Sequence, residues 1–193
     1  MNKSLESMYI YLSRLSPLPQ EQWNSFASFA KPITIRKHHY FLQAGEQADT
    51  IALCINGLFR FYYLTPDGNE FNKSFCTTGE FLASYSSLLQ QTPAFFSIQA
   101  LIDSEIIVVS YSDIQFLYTQ HPCWERLGRI VVENLYMKKE CRERELLMLS
   151  AEERYRLFLE QYGNLTKHIP QYHIASYLGI TPVALSRIRR KLT

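Results

Sequence analysis

Residues 161–193 carry five basic side chains, Lys167, Arg187, Arg189, Arg190 and Lys191, and no carboxylate. That end has a net charge of +5, while residues 1–160 sum to −3. A basic end on a mildly acidic body suits contact with a polyanion, although a solvated basic tail accounts for the charge alone just as well. Spacing decides between the two. Within Gln171–Arg190, the residues Ile174, Ala175, Leu178, Gly179, Ile180, Leu185 and Ile188 fit two short helices crossing at a tight turn. Ala175 is small where the helices approach, and Gly179 can take the positive φ that the turn needs. Thr181 is a good N-cap, and Pro182 fits the first helical position. The second helix is then expected to expose Val183, Ser186, Arg187 and Arg190, with Pro182 at its tip. Such a helix fits the major groove of double-stranded DNA. Arg187 can donate two parallel hydrogen bonds to guanine, and Arg189, Arg190 and Lys191 suit phosphates.

Other reactive residues are dispersed. The cysteines Cys54, Cys76, Cys123 and Cys141 have no metal-binding or redox spacing. His38 and His39 are adjacent, and in a strand they would point to opposite faces, while His121, His168 and His173 lie outside the β-rich part. No nucleophile–base pair stands out. No catalytic residue, metal ligand or cofactor is therefore expected, and a metal-dependent barrel enzyme is the weaker alternative. With 47% hydrophobic and 14% aromatic residues, the chain has ample material for a packed core. Residues 1–15 lack an apolar signal-peptide core, and no apolar run is long enough to span a bilayer, so a cytoplasmic protein without membrane association is expected.

The elements that must position the basic helix follow from periodicity. Leu5, Met8, Leu12 and Leu15 mark a short amphipathic helix, and a second runs from Pro19 to about Phe29. Strands are expected over Ile33–Lys37, Tyr40–Leu42, Ile51–Asn56, Leu58–Leu64, Phe71–Thr77, Ser97–Ile102 and Glu105–Ser110, separated by turn residues. Asn56-Gly57 is the strongest tight-hairpin signal. Many short strands at this spacing suggest a sandwich or barrel. Ser112 is expected to cap a helix that ends before Pro122, and a long helix follows to about Leu149. Its stripe Leu127, Ile130, Asn134, Met137, Cys141, Arg144 and Met148 has heptad-like spacing and suits a seam between two chains, or the buried face of an intrachain helix. Ser150 and Glu153 form a capping box for a further helix ending at Gly163.

Barrel, long helix and helix-turn-helix follow one another in the order of the Crp/Fnr family of transcription regulators, which the chain resembles from about Ile33 to Leu192. The resemblance shows in Gly45-Glu46, Ile55-Asn56-Gly57-Leu58-Phe59-Arg60, Asp67-Gly68-Asn69-Glu70, Gly79-Glu80-Phe81 and the run Ile169 to Thr181. It implies an α+β fold: an N-terminal double-stranded β-helix, or jelly-roll, barrel, a long dimerisation helix and a C-terminal helix-turn-helix. The expected divisions are a sensor domain over 1–121, the dimerisation helix over 122–149 and a DNA-binding domain over 150–193. It also implies a homodimer paired through that helix, with double-stranded DNA as partner.

Relatives that bind cyclic AMP hold its phosphate with a Gly-Glu pair and an Arg-Ser pair. The matching positions here are Ala83 and Ser84, and near Ala94 and Phe95. No arginine lies between Arg60 and Arg126, so cyclic AMP is not the expected effector. Residues 1–53 contain no cysteine for an iron–sulfur cluster. A candidate effector pocket comprises Phe75, Phe81, Ala83, Ser84, Tyr85, Phe95, Phe96 and Lys139, although core packing is the favoured explanation of its aromatic residues. The DNA-contacting set is Thr181, Pro182, Val183, Ser186, Arg187, Arg189, Arg190 and Lys191. The alternative function is a sensor acting through protein partners with a degenerate helix-turn-helix.

Overall fold

A computed structural model describes residues 3–192. The outer limits of the first and last expected divisions, at Met1 and Thr193, therefore lie outside the described residues. Two helices, α1 (Lys3–Leu15) and α2 (Gln20–Phe29), precede the strands β1 (Lys31–Ile35), β2 (Tyr40–Leu42), β3 (Thr50–Asn56), β4 (Leu58–Leu64), β5 (Glu70–Thr77), β6 (Phe81–Leu82), β7 (Ser97–Ala100) and β8 (Ser104–Ser110). A short helix, α3 (Tyr85–Gln90), interrupts the strands after β6. The strands form two four-stranded antiparallel sheets, ordered β1-β8-β3-β6 and β2-β7-β4-β5. This is the expected jelly-roll sandwich, with Cys54, Phe59, Leu82, Ile98 and Ile106 filling the space between the sheets.

Asn56-Gly57 is not a hairpin. β3 pairs with β8 and β6, whereas β4 pairs with β5 and β7, so this dipeptide carries the chain from one sheet to the other. Gly57 is required for close approach and not for positive φ, which is found instead at Gly45, Gly68, Gly79 and Gly179. A Cβ at Gly57 would collide with the buried Ser104 side chain, which itself accepts from Leu58 N–H at 3.3 Å. Gly57→Ala is expected to cost about 1–3 kcal/mol by overpacking. Gly68 has φ +81° and open space around it, so Gly68→Ala should cost only backbone strain of about 1–2 kcal/mol. Urea denaturation of the two variants checks the ordering.

After the sandwich come α4 (Tyr111–Gln120), α5 (Pro122–Met148), α6 (Ala151–Tyr162), a 3₁₀ turn (Gly163–His168), α7 (Gln171–Leu178) and α8 (Pro182–Leu192). The cap of α4 is Ser110 and not Ser112: Ser110 Oγ accepts from Asp113 N–H at 3.0 Å. Ser112 fails as the cap because β8 runs straight into the helix and Tyr111 N–H is already fixed to Asp49 O at 2.7 Å. The capping box at Ser150 forms as expected, with both reciprocal bonds present. Gly163 closes α6 in a right-handed conformation that leads into the 3₁₀ turn, so it does not act as a left-handed cap.

Three apolar clusters hold these elements. One is the sandwich interior. The second packs α1, α2, α4 and the start of α5 on the outer face of the β1-β8-β3-β6 sheet, with Trp23, Phe26 and Trp124 stacked at 5.4 and 5.2 Å. The third joins Leu58, Phe75 and Leu101 of the sandwich to Tyr155, Phe158, Tyr162, Ile174, Leu178 and Leu185 of the C-terminal helices.

Candidate nucleic-acid interface

The helix pair is built as its residue types dictate. Ala175, Leu178 and Leu185 are fully buried between α7 and α8, and Ile180 and Ile188 are partly buried in the same cluster. Gly179 adopts φ +70° at the turn. Thr181 Oγ1 accepts from Ala184 N–H at 3.2 Å, and Thr181 O accepts from Leu185 N–H at 3.0 Å. This capping starts α8 cleanly and aims its first turn outward. Pro182, Val183, Ser186, Arg187, Arg189, Arg190 and Lys191 are all exposed. Seven residues of the expected DNA-contacting set thus lie exposed on α8, and the eighth, Thr181, precedes it with its hydroxyl occupied as the cap.

The sandwich holds α7 from the opposite side. Arg60 of β4, 4% exposed, forms a bidentate ion pair with Glu70 and donates from Nε to Gln99 Oε1 at 2.8 Å. Its Nη1 also faces His173 Nδ1 at 3.1 Å. Asn72 Nδ2 reaches the same Nδ1 at 3.1 Å and His173 O at 3.4 Å. Ser176 Oγ donates to Glu70 O at 3.1 Å and accepts from Asn72 N–H at 2.9 Å. The long helix adds Arg142, which donates to Tyr177 O and lies 3.8 Å from the centre of the Tyr177 ring. Arg154 Nε donates to Leu178 O at 3.1 Å. These donors satisfy the carbonyls at the end of α7, where positive charge is favoured. Burial and the neighbouring Arg60 charge push His173 down to about 4.

This docking was not legible in the sequence. Arg60, Asn72 and His173 are more than 100 residues apart at their ends, and no local pattern links a strand residue to a later helix. A signal did exist in Arg60, a charge in the otherwise apolar run Leu58–Tyr63, which had to find a partner.

The candidate effector residues divide. Phe81, Ala83 and Tyr85 line an apolar cavity of about 100 Å³, together with Met8, Leu117 and Val131. Ser84 beside them is fully buried, and its hydroxyl has no hydrogen-bond partner among the described residues. Phe96 is buried inside the sandwich, its ring 5.8 Å from Phe61. Phe95 is 70% exposed. Phe75 faces away from that cavity and packs on Phe158, Tyr162 and Tyr177. Lys139 is exposed on α5. Lys73, which the sequence did not single out, lies with Nζ 3.9 Å from the Phe96 ring centre. Burial, then the charge of Lys139, pushes Lys73 down to about 8.

The seam residues on α5 are mostly outside the chain's own core. Leu127 is the exception, buried with Trp124. Ile130 and Cys141 are half-buried, Asn134 and Arg144 are exposed, and Met137 and Met148 are 55% and 76% exposed. Among the described residues no group of His, Cys, Asp and Glu is arranged to hold a metal ion, and no helix is long and apolar enough to cross a membrane.

Residues 32–121 match the cyclic nucleotide-binding domain family. None of the curated proteins matches the chain. Solved structures do. FixK2 from Bradyrhizobium japonicum superposes with a TM-score of 0.73 at 22% identity, covering 84% of each chain. The c-di-GMP-responsive global regulator CLP of Xanthomonas campestris gives 0.72 at 15% identity, covering 90% of this chain and 91% of CLP. A protein from Eubacterium rectale assigned to the Crp/Fnr family of transcriptional regulators gives 0.72 at 14% identity, covering 92% of this chain and 87% of its own. The fold therefore extends through sandwich, long helix and helix pair alike.

Proposed function

We propose that this chain, a Crp/Fnr-type protein by its cyclic nucleotide-binding domain and its fold, is a cytoplasmic, non-enzymatic transcription regulator that binds double-stranded DNA through α8. The observation that carries the reading is the outward face of α8, where Arg187, Arg190 and Lys191 stand exposed on a helix whose other side is pinned by Leu185. Thr181, Pro182, Val183 and Ser186 at its amino end would meet base edges, and the later cations, Arg189 included, would meet phosphates.

The reading includes a homodimer paired through 122–149. Tyr136, Met137, Leu147 and Met148 are each more than half exposed on α5, an apolar surface that a second copy would cover. Two copies would present two recognition helices, as half-sites one helical turn apart require. The divisions 1–121, 122–149 and 150–193 then serve sensing, pairing and DNA contact. The sensor's effector would be something other than cyclic AMP, because Ala83, Ser84, Ala94 and Phe95 offer no cation to its phosphate.

The test is a binding titration on promoter fragments over a range of salt. Three phosphate-contacting cations per protomer make about six per dimer. The affinity should then fall about 10³-fold between 50 and 200 mM salt. A folded dimer that binds no DNA at low salt would refute the proposal. Val183, 62% exposed, and Tyr172, 58% exposed, give the protein-partner alternative its footing. That alternative expects salt-insensitive association with a protein and none with DNA.

A further inference from the structure

We propose that His173 is a proton-sensitive latch by which the sandwich holds the helix pair in one orientation. Two donors converge on a single ring nitrogen: Arg60 Nη1 and Asn72 Nδ2 each lie 3.1 Å from His173 Nδ1. Arginine has no accepting atom, and the Asn72 amide nitrogen is fixed as a donor by its second contact, to His173 O. Nδ1 must therefore carry the lone pair, and the ring is docked in its neutral form. A proton at Nδ1 would sit against two donors, one of them a permanent cation. The charged and titratable groups around the ring are Arg60 of β4, Glu70 of β5 and His38 of the β1–β2 turn, with the Tyr172 ring of its own helix at 4.1 Å. Glu70 offsets the added charge only in part, because the Arg60 guanidinium already takes both its oxygens, and burial with the Arg60 charge outweighs it. His173 itself is 4% exposed, so the new charge would be buried.

The sign follows from linkage. Docking lowers the proton affinity of His173, so the released state binds the proton more tightly, at the ordinary histidine value near 6.5. Docking is at full strength above that value and weakens as pH falls from 6.5 towards 4, about tenfold per unit. At pH 5.5 the docked-to-released ratio is expected to be about tenfold lower than at pH 7.5.

The docking does not depend on the regulator reading, although its consequence for DNA does. NMR titration of ¹⁵N-histidine-labelled full-length protein should show His173 as the Nε2–H tautomer, with a midpoint well below the ordinary histidine value of 6.5. A His173 that titrates at the ordinary histidine value, or carries its proton on Nδ1, would overturn the latch. His173→Asn keeps an acceptor near Nδ1 and cannot titrate. Between pH 7.5 and 5.5 the wild-type unfolding constant should rise about tenfold more than that of the variant. A released helix pair loses its fixed spacing, so wild-type affinity for DNA should also fall by up to about tenfold more than the variant's. An equal response of both proteins in stability and in DNA affinity would refute the latch as a control of DNA binding. Absence of DNA binding in both would refute the regulator reading and leave the titration to decide the latch.

Discussion

Phe158→Ala is expected to lower stability by about 3–5 kcal/mol, the usual range for deleting a buried aromatic side chain. It is further expected to weaken sandwich and helix pair together. Phe158 is 1% exposed at the centre of the third apolar cluster. Its ring lies 5.2 Å from Tyr162, 5.7 Å from Tyr177, 6.0 Å from Phe75 and 6.4 Å from Tyr155. Of these, only Phe75 belongs to a strand of the sandwich. The alanine would therefore leave a void bounded by both units, which neither can close without pulling away from the other. Urea denaturation followed by two signals tests this. Tryptophan fluorescence reports on the sandwich side alone, because Trp23 and Trp124 both sit in the α1–α2–α4 cluster. Far-ultraviolet circular dichroism reports on the whole chain. Coincident transitions, both displaced by the substitution, are expected of a shared core. A fluorescence transition that stays in place while the dichroism splits would show that the third cluster does not couple the two units.

The sequence carried the local features of this molecule well and the long-range ones poorly, for a physical reason. The capping box at Ser150, the positive φ at Gly179 and the buried spacing of Ile174, Leu178 and Leu185 depend on residues within one or two turns of each other, so periodicity and residue type suffice to find them. A sandwich or barrel was legible as many short strands with turns between, and the resemblance to the Crp/Fnr family narrowed it to a jelly roll. Asn56-Gly57 was misread because its two flanking strands look alike whether they pair or part. Their partners lie elsewhere in the chain: β3 pairs with β8 and β6, β4 with β5 and β7, and Gly57 leaves room for Ser104 nearly fifty residues later. β6 is only two residues long and α3 only six, too short for a period to register. Lys73 carries no local signal; it falls at the strand irregularity opposite Phe61 and Tyr62 and lies over Phe96. The exposure of Pro182, Val183, Ser186, Arg187, Arg189, Arg190 and Lys191 was legible because the buried positions of one short helix leave them outside. The Arg60–His173 contact was not, because 113 positions separate its two residues and no local pattern links them.

Arg187→Ala should weaken binding to the preferred DNA sequence by about 5- to 150-fold, the equivalent of the 1–3 kcal/mol that a bidentate base contact contributes. It should change binding to unrelated sequence much less. The argument starts from position. Arg187 lies one turn beyond Val183 on α8, beside exposed Ser186 and Arg190, close enough to the helix's amino end to reach the groove floor. It is exposed and outside all three apolar clusters, so its removal should leave stability within about 0.5 kcal/mol of wild type. A lost affinity would then belong to the contact and not to the fold. Lys191→Ala provides the contrast. Near the end of the helix it suits a phosphate, so its loss should weaken all sequences alike and reduce the salt slope by about one. If Arg187→Ala instead behaved like Lys191→Ala, with a uniform loss and a shallower slope, Arg187 would be a phosphate contact. Sequence reading would then fall to Ser186 and Val183. If neither substitution altered DNA binding, the cationic face of α8 would not be the surface that meets DNA, whatever the salt dependence of the whole protein.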